Sequence, residues 1–317
     1  MNSKDLRIVY MGTPDFAVAP LKALVEGGYN IVAVVTTPDK PSGRGLKVNE
    51  SAVKRYAMEV GLPILQPVRL RDEEFVEAFK ALNADLGIVI AFRMLPEIIW
   101  AEPRLGTFNL HASLLPQYRG AAPINRAIMN GETVAGVTTF LLNPRIDEGA
   151  VLGQEKVEIE PCDNVGTLHD KLMSVGVDLV LETVDKIAAG DITPIEQEAM
   201  MEGELKPAPK IFKEDCHIDF SLTGKEVQNL VRGLSPYPAA WAQLTESLTA
   251  KIFEVEFLPG AVECEPGTIL SDERKYIHVA VADGLVNIKE LQLSGKKRMT
   301  AEELLRGFRN ITSYKFS

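Results

Sequence analysis

Two kinds of apolar pattern alternate through the first half of the chain. Near-continuous apolar or β-prone runs occupy residues 6–12 (LRIVYMG), 31–37 (IVAVVTT), 85–92 (DLGIVIAF) and 106–112 (GTFNLHA), as strands buried on both faces require. Between them, residues 16–28, 50–61 and 72–83 carry apolar side chains three and four apart and end in Gly or Asn, which predicts amphipathic helices with defined stops. Strand and helix in alternation predict a mostly parallel sheet with crossover helices on both faces, a Rossmann-like α/β domain. A strand over 136–143, a returning strand over 150–159 and one long helical pattern from about Val165 to Ala189 complete it. The first domain is taken as residues 1–189.

Residues 190–207 hold no sustained periodicity and mix prolines with acidic side chains, which predicts a linker. A second domain, 208–317, opens with the helical stretch GKEVQNLVRGL (224–234). It continues in short strand-like runs, AWAQLTE, AKIFEVEFL, GTIL, YIHVAVA and GLVNIKELQL. Short strands between turn signals predict a small β-barrel or sandwich. No internal repeat interrupts either part.

Composition narrows the class. With 317 residues, 46% hydrophobic and 25% charged, the chain has enough apolar material for one or two cores. No apolar run reaches the roughly 18 residues of a membrane span, and the N-terminus begins a strand rather than a signal peptide; a cytoplasmic protein with no membrane partner is expected. Cys162, Cys216 and Cys264 are odd in number and widely spaced, the pattern of reduced thiols and of neither a disulfide framework nor a metal site. A net charge of −10 argues against general adhesion to nucleic acid. The acidity is uneven, however: residues 1–206 hold 20 Lys+Arg against 29 Asp+Glu, and residues 207–317 hold 14 against 15.

Candidate chemistry gathers at strand ends. Gly12-Thr13-Pro14 follows the first strand but lacks the further glycines of a dinucleotide fingerprint, so a plain strand-to-helix turn is the better reading. Asn109 and His111 lie two apart near the end of a strand, on one face. An amide donor beside an imidazole suits a reaction that develops an oxyanion while a proton moves, although a lone Asn-x-His also describes a structural histidine. Asp147 follows the next strand and is placed to orient His111; by itself it is a turn residue. Residues 113–120 (SLLPQYRG) form an unusually apolar loop directly after the polar pair, suited either to plugging the sheet edge or to a flat ligand ring. Arg44 sits between Gly43 and Gly45 in a loop suited to closing on a phosphate. Lys296, Lys297 and Arg298 precede a helix opened by Thr300 and Glu303, the pattern of a capping box, and read either as a solvated turn or as a phosphodiester contact.

The segment NLHASLLPQYRGAAPI with Asp147 downstream resembles the folate-dependent formyltransferases, whose shared signature is an Asn, a His two later, an SLLP loop and a later Asp. MGTPDFAVAPLKAL, PDKPSGRG, GLPILQP, IDFSLTGKEV, PGTIL and LSGKKRMTAEELL narrow the resemblance to the members that act on a charged initiator tRNA. It spans nearly the whole chain. The resemblance implies a Rossmann-like catalytic domain, a linker and a C-terminal barrel similar to an OB fold. It implies transfer of the formyl group of 10-formyltetrahydrofolate, a co-substrate used without metal, to the α-amino group of methionyl initiator tRNA. By the same match Asn109, His111 and Asp147 are the catalytic trio, and Ser113, Leu114, Leu115 and Pro116 contact the folate. Arg44, Lys296, Lys297 and Arg298 approach the tRNA, and the chain is expected to be a monomer. The chain departs from the family pattern at AFRMLP (91–96), which is one residue shorter, and at 143–148. A formyltransferase acting on a nucleotide-linked amino sugar, or a folate- or tRNA-binding protein without catalysis, are the alternatives.

Overall fold

The structure is a computed structural model that describes residues 2–42 and 47–317. Two compact units divide the chain, one of Met1–Gly120, Ala135–Val157 and Asp170–Pro207, the other of Ala121–Val134, Glu158–His169 and Ala208–Ser317.

In the first unit, β1 (Ile8–Gly12), α1 (Val18–Glu26) and β2 (Ile31–Val35) open the alternation. A hairpin of β3 (Lys40–Ser42) and β4 (Lys47–Asn49) stands apart from the main sheet. Then come α2 (Ala52–Glu59), β5 (Ile64–Leu65), α3 (Glu73–Ala81), β6 (Leu86–Ile90), α4 (Glu97–Trp100) and β7 (Thr107–His111). After α5 (Pro123–Met129), which belongs to the second unit, β8 (Val134–Leu141) and β9 (Val151–Glu158) lead into α6 (Val165–Ala189). The main sheet runs β5-β2-β1-β6-β7-β8-β9. Its first five strands are parallel, and β8 returns antiparallel on β7, so the expected mostly parallel sheet is present.

Helices cover both faces of this sheet. On one, Val9, Met11, Val35 and Val89 pack with Phe75, Val76 and Phe79 of α3 and Ile99 of α4. On the other, α6 brings Gly176 so close to Leu110 of β7 that a Cβ there would lie 2.8 Å from a leucine methyl. Because side chains alternate along a strand, Leu110 on the α6 face leaves Asn109 and His111 facing the opposite way.

The second unit packs α7 (Gly224–Leu234) against α5 and against a curled antiparallel sheet. Its strands are β10 (Ala240–Thr245), β11 (Leu248–Pro259), β12 (Ile269–Ser271), β13 (Ile277–Val281) and β14 (Gly284–Leu293), in the order β10-β11-β14-β13-β12, with β15 (Met299–Thr300) on β14. The register shifts on β11 between Ile252 and Val255, the kind of bulge that bends a long strand. The chain end then joins the two edges: Gln243 of β10 exchanges backbone hydrogen bonds with Ser317, while Lys315 bridges to Thr268 and Phe316 bonds Gly267 just before β12. Unpaired strand edges invite association with other chains, and here the last three residues occupy them. Helix α8 (Ala301–Gly307) follows β15 and, like α7, begins in a complete capping box.

Candidate active site

Strand β7 delivers the two polar residues because its sequence alternates. Backbone pairing sets Asn109 beside Val89 of β6 and Phe140 of β8, and His111 beside Thr138. His111 is buried, with 7% of its surface exposed. Its Nε2 lies 2.9 Å from the carbonyl oxygen of Tyr118, and since a carbonyl only accepts, Nε2 carries its hydrogen. Nδ1 faces Asp147 Oδ2 at 4.0 Å, longer than a hydrogen bond, so the carboxylate acts on the ring as a nearby charge. The edge of the Phe140 ring closes a third side at 6.4 Å between centroids.

Two backbone strains hold this arrangement. Tyr118 and Asp147 both adopt positive φ, 59° and 53°, a region costly for residues with a Cβ and found where surrounding structure enforces it. Asp147 Oδ2 accepts the Gly120 N–H at 3.0 Å, tying the two strained loops together. Gly149 admits no side chain, because a Cβ there would fall 1.6 Å from the Leu141 carbonyl oxygen. Gln197, wholly buried, donates to the carbonyls of Asp147 at 2.9 Å and Gly149 at 2.8 Å and accepts from Arg119. Sequence reading missed Gln197: it lies in the segment expected as a linker, and a lone Gln in an aperiodic stretch gives no signal. That segment is in fact fastened to the loop after β7, through Lys206 O to the Tyr118 N–H at 2.7 Å and Gln117 Oε1 to the Lys206 N–H at 2.8 Å.

The apolar loop divides its side chains. Leu115 is 2% exposed and packs with Phe140 and Val151, while Leu114 presses on Gly136, where a Cβ would meet it at 2.4 Å. Ser113 is buried and its hydroxyl donates to the Gln117 carbonyl at 2.7 Å. Thr138 Oγ1 donates to Ser113 O at 2.6 Å and accepts from Leu115 N at 3.1 Å and from Gln154 Nε2 at 2.9 Å. The Leu115–Pro116 peptide is cis. Leu115 is therefore a core residue that anchors the loop, the plug that its composition also allowed.

Among the described residues, three buried side-chain atoms lack a hydrogen-bond partner: Thr13 Oγ1, Arg93 Nε and Asn109 Oδ1. Thr13 follows β1, Arg93 follows β6 and Asn109 is near the end of β7. All three sit at the carboxyl ends of adjacent parallel strands, where open α/β sheets bind ligands. Buried polar groups are almost always paired, so this row of unpaired atoms singles out this sheet edge as the candidate site. Beside it, a cavity of about 420 Å³ is lined by Arg69, Leu70, Arg71, Arg93, Met94, Leu95 and Pro96.

The remaining basic candidates are not equivalent. Arg44 lies outside the described residues. Near that loop, Lys54 bonds Asp39 and Glu50, and the Lys54 hydrogen bond holds the Asp39 carboxyl below its usual range. Lys296 and Lys297 are exposed. Arg298 is committed locally, ion-paired to Glu290 and stacked over the Phe253 ring at 4.3 Å. Among the other histidines, His217 packs on Trp241 and bonds Ser317 O, and His278 stacks on Tyr276; burial lowers the His278 pKa. No group of residues suited to a metal ion, and no helix long and apolar enough to cross a membrane, occurs among the described residues.

Comparison with known proteins identifies the family. The formyl transferase family model matches residues 6–184, and the formyl transferase C-terminal domain matches residues 210–309. The chain is 58% identical to the methionyl-tRNA formyltransferase of Bacteroides thetaiotaomicron over the full length of both, and 50% identical to that of Flavobacterium johnsoniae over 96% of each. Among solved structures, an N-formyltransferase from Helicobacter canadensis in complex with folinic acid and dTDP-3-aminofucose superposes with a TM-score of 0.68 at 19% identity, covering 93% of this chain and 100% of that one. HypX from Aquifex aeolicus, in complex with tetrahydrofolic acid, gives 0.64 at 20% identity; 95% of this chain is covered, but only 47% of HypX. At such identities the two structures share a fold with this chain. The full-length identities carry the assignment further: the chain belongs to the formyl transferase family, among the methionyl-tRNA formyltransferases.

Proposed function

We propose that this chain transfers the formyl group of 10-formyltetrahydrofolate to the α-amino group of methionyl initiator tRNA, the step that prepares the initiator for translation. The observation that carries the reading is the pairing of a buried, uncommitted Asn109 oxygen with a His111 ring fixed by Tyr118 and Asp147. The attacking group is the amine of an aminoacyl ester. Its free-amine form is already accessible near neutral pH, since an α-amino group titrates at about 8. Attack on the formyl carbon forms a C–N bond and moves an electron pair onto the formyl oxygen. The Asn109 carboxamide, after a half turn, presents its N–H to that oxygen. His111 exchanges the proton that must travel from the attacking nitrogen to the departing folate nitrogen, and Asp147 holds the ring. As the tetrahedral carbon collapses, the bond to the folate nitrogen breaks and tetrahydrofolate leaves.

Residues 113–116 form the adjoining folate contact; Leu115 serves from the core, by setting the backbone. Residues 1–189 act as the catalytic domain and 190–207 as the link. Residues 208–317 hold the tRNA, with Lys296 and Lys297 meeting its backbone and Arg298 ion-paired to Glu290; Arg44 is a further tRNA contact. The enzyme works as a cytoplasmic monomer. Supplying 10-formyltetrahydrofolate labelled in the formyl group with methionyl initiator tRNA, and separately with amino-sugar nucleotides, tests the reading. Label on the tRNA supports it; label only on the sugar, or on neither, rejects it.

A further inference from the structure

Both supports of the His111 ring lead to one stretch of chain, residues 195–206. Nε2 meets the carbonyl of Tyr118, and Nδ1 faces Asp147. The Tyr118 N–H in turn donates to Lys206 O at 2.7 Å, and Gln117, one residue earlier, accepts the Lys206 N–H at 2.8 Å. On the Asp147 side the contact is Gln197, whose Nε2 donates to the carbonyls of Asp147 and Gly149 at 2.9 and 2.8 Å. The stretch is itself anchored. Ile195 exchanges backbone hydrogen bonds with Val151 at the start of β9, and Met200 packs on the cluster of Leu115, Phe140 and Val151.

Gln197 is suited to holding a turn. A guanidinium only donates, and Arg119 donates to Gln197 Oε1 from Nε at 3.0 Å and from its second terminal nitrogen at 2.8 Å. The amide therefore has one orientation, with Nε2 toward the carbonyls, and its two hydrogens match the two acceptors. Arg119 is braced by Glu148 at 3.4 Å, and Glu148 also pairs with Arg145 at 2.9 Å. The turn needs such a hold, because Asp147 has a φ of 53°, a conformation that persists only where surrounding structure enforces it. Gly149 fixes one end of the turn by its close approach to the Leu141 carbonyl. Gln197 fixes the Asp147 peptide, which aims the carboxylate at the Gly120 N–H and at His111 Nδ1.

Resting on the formyl-transfer reading above, we propose that Gln197 is a positioning residue of the reaction: it clamps the turn of Asp147 to Gly149 and acts through the Asp147 carboxylate on His111. A turn released from this clamp keeps its carboxylate but loses the distance to the imidazole. Misplacement by about 1 Å can cost about 10² in rate.

The measurement is single-turnover formyl transfer from 10-formyltetrahydrofolate to methionyl initiator tRNA by the full chain. Gln197→Met keeps the side chain's length and removes both donors and the acceptor. The rate should fall about 10–10²-fold, while KM for tRNA and the affinity for folinic acid, a stable formyl-folate, stay within about threefold. Gln197→Glu keeps the acceptor for Arg119 but loses the amide donors, and should be slowed alike; it carries the test if Gln197→Met does not fold. In an Asp147→Asn background, Gln197→Met should slow transfer by less than about a further threefold, because residues that act as a unit are not additive. A wild-type rate in either Gln197 variant overturns the clamp. Full additivity with Asp147→Asn overturns it too, as the mark of a merely structural glutamine, and so does a loss confined to KM or to folinic acid affinity. Absence of transfer by the unaltered chain would overturn the formyl-transfer reading and this proposal with it; every other outcome leaves that reading standing.

Discussion

The two units handle their polar groups in opposite ways. In the second, barrel-like unit, helices α7 and α8 begin in reciprocal capping boxes, the chain terminus satisfies both sheet edges, and no buried side-chain atom among the described residues lacks a partner. In the first unit three buried atoms stand unpaired along one sheet edge; positive φ does not separate the units, since Ala91, Tyr118 and Asp147 in the first are matched by Ala239, Glu273 and Asn310 in the second. An unsatisfied buried group costs about 1–3 kcal/mol. Unpaired groups gathered at one edge of one unit support the proposal that the chemistry happens there, while the other unit keeps its buried polar atoms paired among the described residues.

Breaking the comparison on the reactive side should give the largest effect. Asp147→Asn keeps an oxygen to accept the Gly120 N–H but removes the charge that faces His111 Nδ1. We expect kcat to fall by about 10²–10⁴, the range for losing an acid–base partner, with little change in thermal stability; wild-type turnover would remove Asp147 from the trio. A smaller effect, on stability, follows from Leu115→Ala. Leu115 is 2% exposed between Phe140 and Val151, so truncation should cost about 2–5 kcal/mol. Each unit holds one tryptophan, Trp100 in the first and Trp241 in the second. Denaturant unfolding followed by Trp100 in a Trp241→Phe background should therefore register the loss; an unshifted midpoint would return Leu115 to the pocket wall.

The smallest effect belongs to the second unit. Glu226 and Glu303 have depressed pKa values because each accepts hydrogen bonds at its helix start, Glu226 from Thr223 and Glu303 from the Thr300 backbone. A carboxylate depressed in the folded state contributes stability above its unfolded value of about 4.3, and that contribution is lost as pH falls through the lower folded value. Unfolding followed by Trp241 should weaken as pH drops from about 5 toward 3, and Glu226→Gln with Glu303→Gln should flatten that slope slightly. A slope unaffected by the double change would mean other carboxylates carry it.

Much of this was legible in the sequence. Runs such as LRIVYMG and DLGIVIAF became β1 and β6, and the period of 165–189 became α6 without adjustment. Asn109 and His111 were recognisable because a period-2 strand fixes which residues share a face. Asp147 was placed by the expectation that its strand neighbours β7, and β8 does pair there. What stayed hidden was long-range or backbone-borne. The Tyr118 carbonyl that holds His111 has no side-chain signature. Gln197 acts across a separation of 50 residues from Asp147. Leu115 and Leu114 look identical in sequence and differ only because one meets Phe140 and the other Gly136.

The most direct test of the reactive edge is single-turnover formyl transfer from 10-formyltetrahydrofolate to methionyl initiator tRNA by the wild-type chain and by Asn109→Ala. If the uncommitted carboxamide on β7 stabilises the developing oxyanion, the rate should fall by about 10²–10³ while folinic acid still binds within about threefold of wild type. A variant that transfers the formyl group at the wild-type rate would contradict the assignment, and with it the idea that this sheet edge left Asn109 unpaired for catalysis.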